Sequence, residues 1–161
     1  MTMSAESTMI SVTFPSELEI TLFTEFPHSP KVVFDAHSKV EHISKTFATF
    51  GEEVITCEVD LRVGGKYHFV MLPQDAPECS FRGTFLEIIP NKKMQQTWIF
   101  DGWPGVEAIE TMTFEPTDIG TLYTWNLLFA NESDRAHFSK TDGIESNFRV
   151  MREYLTKIDP K

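Results

Sequence analysis

Basic residues are scarce in this chain. Lysine and arginine together number 14 against 24 aspartates and glutamates, a formal charge of -10 over 161 residues. A surface of that sign repels phosphate backbones and anionic headgroups, so neither nucleic acid nor a membrane surface is expected as a partner. The longest basic run, Lys92-Lys93, is too short to override that average. Cysteine is nearly missing: Cys57 and Cys79 are the only two, and they read as reduced, half-buried thiols rather than as a disulfide framework. No stretch approaches the roughly 18 apolar residues of a membrane span. The opening MTMSAESTMISVTFPS lacks the basic segment and continuous apolar core of a secretory leader. These absences together point to a cytoplasmic protein, with residues 1–16 as a flexible lead and 17–161 as one domain. That length buries a sizeable core without staples.

Motifs of covalent and phosphoryl chemistry are missing as well. There is no Gly-x-Ser-x-Gly elbow, no Cys-His signature and no glycine-rich phosphate loop. Gly64-Gly65 lies between two strand patterns with no helix after it, and therefore reads as a tight hairpin turn. Of the five histidines, His37 and His42 are five apart across a helix break, a poor spacing for metal ligands, and His68 falls on the outer side of its strand. Neither a metal nor a cofactor is expected.

What the chain does have is a long succession of strand patterns. Leu18, Ile20, Leu22, Thr24 and Phe26 alternate with polar partners up to Pro27. Ser29-Pro30 then offers a cap and a first-turn proline for a short helix through His37, and a second short helix runs from Val40 to about Phe47. From Glu53 to Phe100 four strand patterns follow one another, joined by connections short enough only for antiparallel neighbours. Tyr67, Phe69 and Met71 share a face, as do Phe81, Gly83 and Phe85, and then Met94, Gln96, Trp98 and Phe100. Two more strands span Glu107 to Glu115, with Met112 and Phe114 on one face, and Thr121 to Ala130, with Tyr123, Trp125, Leu127 and Phe129 on one face. The period then changes. Ile144, Phe148, Met151, Leu155 and Ile158 follow the spacing of an amphipathic helix, with Glu145, Arg149, Arg152, Glu153 and Lys157 on its other side. The expected fold is α+β: a curved seven-stranded antiparallel sheet around a long C-terminal helix, with two short helices between strands one and two.

This order, with Cys57-Glu58-Val59-Asp60-Leu61-Arg62, Gly64-Gly65, Phe69-Val70-Met71, Phe81-Arg82-Gly83, Glu87-Ile88-Ile89-Pro90, Thr113-Phe114-Glu115 and Gly120-Thr121, resembles the SRPBCC superfamily of START-like, helix-grip proteins. Within it, the resemblance is to the branch named for the activator of the heat-shock-protein-ninety ATPase. It implies a sheet gripping the C-terminal helix with an apolar cavity between them. In many relatives such a cavity takes a lipid, polyketide or aromatic molecule. The expected function is thus binding of a hydrophobic small molecule. The alternatives are a chaperone-associated interaction module, suggested by the branch name, and a cyclase- or dehydratase-like enzyme.

The candidate ligand-binding set is Phe69, Met71, Phe85, Trp98, Trp125, Phe148 and Met151, an aromatic and methionine lining that would otherwise be plain core. Arg82 and Tyr123 are the candidate polar groups of the cavity, with Glu58 and Gln96 beside them for any acid–base role. Asp60 and Arg62, two apart, read as a turn-stabilising pair at the sheet edge. Entry is expected near Trp103, in the loop Asp101 to Gly105, with Gly143 as a hinge where the final helical region is interrupted. Trp103 and the edge strands are also candidates for a homodimer contact.

Overall fold

The computed structural model describes residues 10–49, 53–138 and 142–160. A short strand β1 (Ile10–Thr13) pairs antiparallel with β2 (Glu19–Phe26), where Ile20, Leu22, Thr24 and Phe26 are buried and their alternates half-buried. Helix α1 (Pro30–Ser38) starts as its sequence demands. Ser29 Oγ accepts from the Val32 N–H at 3.4 Å, and Pro30 occupies the first turn, where its missing N–H costs nothing. Helix α2 (Val40–Thr49) follows after one extended residue, Lys39. Six strands then run in meander: β3 (Glu53–Val59), β4 (Lys66–Leu72), β5 (Cys79–Ile89), β6 (Lys93–Phe100), β7 (Ala108–Pro116) and β8 (Thr121–Phe129). A capped turn, α3 (Glu132–Arg135), and a single 3-10 turn at Ala136–Phe138 lead to the long helix α4 (Asp142–Ile158).

The strands form one antiparallel sheet in the order β1-β2-β8-β7-β6-β5-β4-β3. It has eight strands, one more than the sequence pattern predicts. The additional strand is β1, inside the stretch read as a lead, where Ile10 and Val12 alternate with Ser11 and Thr13. Four residues of alternation are too few to stand out until a partner strand lies alongside. Because β2 pairs with β8 while β3 is the opposite edge, α1 and α2 carry the chain from one side of the sheet to the other. Irregular register between Val54 and Thr56 and between Phe85 and Glu87 adds local twist.

The link from β3 to β4 is wider than the two-residue turn expected from Gly64-Gly65. It spans Asp60 to Gly65, closes with the Asp60 N–H on the Lys66 carbonyl at 2.9 Å, and docks on β5 through bonds between Gly64, Gly65 and Phe85. Of the two glycines Gly64 alone has positive φ, at 86°. Asp60 and Arg62 pair at 2.9 Å on the exposed edge, as a turn-stabilising pair would.

Helix α4 is pinned at one side. Arg152, expected on its solvent face, instead reaches β2: Nη2 donates to Thr24 Oγ1 at 2.7 Å, Nη1 to the Glu25 carbonyl at 3.2 Å, and the guanidinium sits 5.1 Å from the Phe26 ring centroid. His28 Nδ1 lies 2.9 Å from Asp159 Oδ2, and His42 Nδ1 meets the Tyr154 hydroxyl. The helix is therefore anchored to β2 and α2. Its side chains, Phe148 against Tyr123 among them, reach toward the sheet. What lies between helix and sheet decides the site.

Candidate functional site

The strand alternation points Tyr67, Phe69 and Met71 of β4, Phe81 of β5, and Gln96, Trp98 and Phe100 of β6 to the concave side. With Met112, Tyr123, Trp125 and the inner face of α4 they bound a cavity of about 600 Å³. One wall is aromatic. Trp98 lies 5.8 Å from both Phe81 and Trp103, and Trp103 packs edge-on to Phe138 at 4.9 Å and stacks on His137. Offset and edge-on rings of this kind add cohesion beyond the area they bury.

The adjoining wall is polar, and its centre is Glu110. In β7 it falls on the same side as Ala108, Met112 and Phe114, opposite Gln96 in the register with β6. The residue is half-buried and borders the cavity. Oε1 accepts from Gln96 Nε2 at 2.8 Å and Oε2 from Trp125 Nε1 at 2.5 Å. Burial pushes the carboxyl above its ordinary range, and the bonds from Trp125 and Gln96 offset part of that rise. Tyr67 and Tyr123 are both held above the usual phenol range, first by burial and then by the nearby Glu110. The Tyr67 hydroxyl donates to the Thr97 carbonyl at 2.8 Å. His37 of α1 stacks on Tyr123 at 4.5 Å, and its Nδ1 bonds the Val33 carbonyl at 2.8 Å. Desolvation drives this imidazole down to about 4, the Val33 bond resisting, so it is neutral and turns Nε2 away from the backbone as an acceptor. No lysine or arginine lines the cavity among the described residues. Nor do those residues hold a cluster of three or more histidine, cysteine or carboxylate groups suited to a metal ion.

Glu110 therefore has a direct stability signature. Its proton is held to higher pH in the folded chain than in the unfolded one. The stability this contributes is complete below the unfolded carboxyl value and is lost as pH rises through the folded one. Glu110→Gln keeps an acceptor for Trp125 and supplies a donor for Gln96 Oε1, which has no hydrogen-bond partner among the described residues. The variant is expected to melt higher at pH 8 by about 2–4 °C, the shift that ~1 kcal/mol makes in a domain of this size. The gap should close as pH falls toward 4; an equal gap at both pH values would show that Glu110 carries no such burden.

Of the predicted lining, Phe69, Met71, Trp98, Trp125, Phe148 and Met151 all border the cavity, as does Tyr123. Phe85 does not. It is buried beneath Tyr67, their rings 5.7 Å apart, so the tyrosine stands between it and the space. Arg82 is exposed on the convex face, because Phe81 and Gly83 beside it point inward; Glu58 is exposed likewise. Trp103 is half-buried in the aromatic wall rather than projecting from its loop. Gly143 belongs to the first turn of α4, so the helix is not interrupted at the glycine. Glu110 and His37 are the functional candidates that residue patterns had not singled out. Period-two alternation from Met112 back to Glu110 would have found the first, since a carboxylate on an otherwise apolar strand face is conspicuous.

The fold recurs among solved structures. A Rhodobacter sphaeroides protein superposes with a TM-score of 0.82 at 14% identity, over 92% of this chain and 96% of that one. A Nitrosomonas europaea protein gives 0.77 at 22%, covering 91% and 99%, and one from Arthrobacter aurescens 0.76 at 19%, covering 93% of each. At such identities the likeness concerns the fold. No curated protein matches the chain. The family model described as "Activator of Hsp90 ATPase homolog 1-like protein" matches residues 27–156, from the end of β2 into the last turns of α4. The chain belongs to that family, within the SRPBCC superfamily.

Proposed function

We propose that this protein binds a hydrophobic small molecule of lipid, polyketide or aromatic type between the sheet and α4, in the cytoplasm. The supporting observation is the cavity itself. Its volume of about 600 Å³ falls within the roughly 300–1,000 Å³ of small-molecule sites. Its lining of tryptophan, phenylalanine and methionine supplies apolar burial with adaptable shape. Helix α4, held to β2 by Arg152 and to α2 by Tyr154, keeps that volume open rather than collapsing onto the sheet.

The experiment is titration with the neutral fluorophore N-phenyl-1-naphthylamine, read by its emission. Trp98→Ala removes the centre of the aromatic wall, and Met151→Trp fills the space from the helix side. Both should weaken binding by about tenfold or more, the loss of roughly 1.5–3 kcal/mol of buried side-chain contact. Truncation destabilises a packed core and filling need not, so loss of binding in both separates occupancy of the cavity from damage to the fold. Unchanged affinity in both variants would remove this lining from the reading. Mass spectrometry of the freshly purified protein, native and then denatured, would identify a molecule carried from the cell.

A second reading, conversion of the bound molecule by acid–base chemistry, is favoured by one observation. Neutral His37 and the raised Glu110 carboxyl border the same cavity, and opposed shifts of this kind equip a base and an acid. A bound molecule recovered with its mass and structure unchanged after prolonged incubation would count against it.

A further inference from the structure

The cavity contains a carboxyl group that has no counter-ion among the described residues. Oxygen Oε1 of Glu110 takes a hydrogen bond from Gln96 and Oε2 takes one from Trp125. Both partners approach as donors, an arrangement that suits an ionised, acceptor-only carboxylate. An isolated buried anion is costly unless paired. Yet the described residues around it offer no positive charge. Lysine and arginine are not among the described lining residues, Tyr67 and Tyr123 keep their protons, and His37 is neutral. Among the described residues no metal-holding cluster exists to supply a cation. The Gln96 amide is also left half-used, its Oε1 buried without a partner among those residues.

Around this carboxyl stand faces that favour a cation. Tyr123 and Trp125 lie on β8 and Trp98 follows Gln96 on the same face of β6, the two strands flanking β7, and Tyr67 of β4 lines the same cavity. Aromatic faces attract ammonium groups through their quadrupoles, more strongly once water is excluded. The formal charge of -10 further favours arrival of cations over anions. We propose that the ligand is a hydrophobic amine, whose ammonium group pairs with the Glu110 carboxylate among these rings while its apolar body fills the space along Trp98 and Phe81. This inference rests on the small-molecule reading above and narrows it to a chemical class.

The test compares two probes of nearly one shape: 2-(2-naphthyl)ethylamine, protonated at pH 7.5, and 2-(2-naphthyl)ethanol. Isothermal titration of the full chain is expected to show the amine binding at least about tenfold more tightly than the alcohol, the scale of a charge-assisted bond with aromatic contact. In Glu110→Gln the ratio should fall to near one, with near-ultraviolet circular dichroism confirming an intact fold. Equal affinities in the parent chain would overturn the amine assignment while leaving the small-molecule reading standing. An amine preference that survives Glu110→Gln would overturn the role of the carboxylate. Binding of neither probe, with no binding of the neutral fluorophore either, would overturn the small-molecule reading and this inference with it.

Discussion

A Gly83→Ala chain is expected to melt about 6–12 °C below its parent, a loss of about 3 kcal/mol or more at ~2–4 °C per kcal/mol. The cause is a specific collision. A Cβ on Gly83 would stand 1.9 Å from the Thr97 carbonyl oxygen and 2.6 Å from Tyr67 Cε2. Overpacking against a flexible side-chain end is relieved by a rotamer change, but the Thr97 oxygen belongs to the backbone of β6 and already accepts from the Tyr67 hydroxyl at 2.8 Å. Relief requires β5 and β6 to separate where Thr84 N–H also bonds Thr97 Oγ1 at 2.8 Å. Tyr67 lies directly across the β4–β5 ladder from Gly83, and the bare glycine lets the ring lie against the strand. The same substitution should therefore displace Tyr67 from the polar wall and weaken fluorophore binding as it lowers the melting temperature. A melting temperature within 2 °C of the parent would mean that the strands part at little cost, and the close approach would lose its structural meaning.

The second large effect is an acid sensitivity centred on His37. In the fold its imidazole is driven from 6.5 to about 4, whereas the unfolded chain takes its proton at the ordinary value. The stability associated with this difference is complete above pH 6.5 and is lost as pH falls toward 4. With each tenfold change in proton affinity worth about 1.4 kcal/mol, the loss amounts to about 3 kcal/mol. Glu110 acts in the opposite sense, since its raised carboxyl favours the fold at low pH. Single variants separate the two. His37→Phe retains a ring to stack on Tyr123 and removes the titration, so urea midpoints measured from pH 7.5 to 4.5 should fall less than in the parent. Glu110→Gln should steepen that fall. Parallel pH profiles for His37→Phe and parent would show that the imidazole accepts its proton within the fold, through opening of the cavity to water.

Much of this architecture was legible from residue spacing. Alternation in β2, β4, β6 and β8 marks the strands because a half-buried sheet face imposes a period of two, and Ile144 to Ile158 marks α4 through its helical period. These two periods put all seven candidate lining residues on the inner side, where six of them, all but Phe85, border the cavity. It also carried enough information to place Arg82 outside, since a residue between inward-facing Phe81 and Gly83 must point outward. Phe85 shows where a face assignment stops: it points to the concave side yet lies beneath Tyr67. Depth within a layer depends on which neighbour leans across, and spacing does not encode that.

The sequence by itself determined the order of elements, the inward and outward faces of each strand and the acidic surface, because those follow from local periodicity and composition. Tertiary structure alone decided three things. It recruited Ile10–Thr13 as an eighth strand, since four residues become a strand only against a partner. It turned Arg152 from a presumed solvent group into the tie between α4 and β2, since a long side chain at the edge of a helix's polar face goes wherever acceptors lie within reach. And it gathered Glu110, Gln96, Trp125 and His37, from β7, β6, β8 and α1, around one space. Their chemistry comes from burial and from hydrogen bonds between residues distant in the chain, and both exist only once the sheet has curved around the helix.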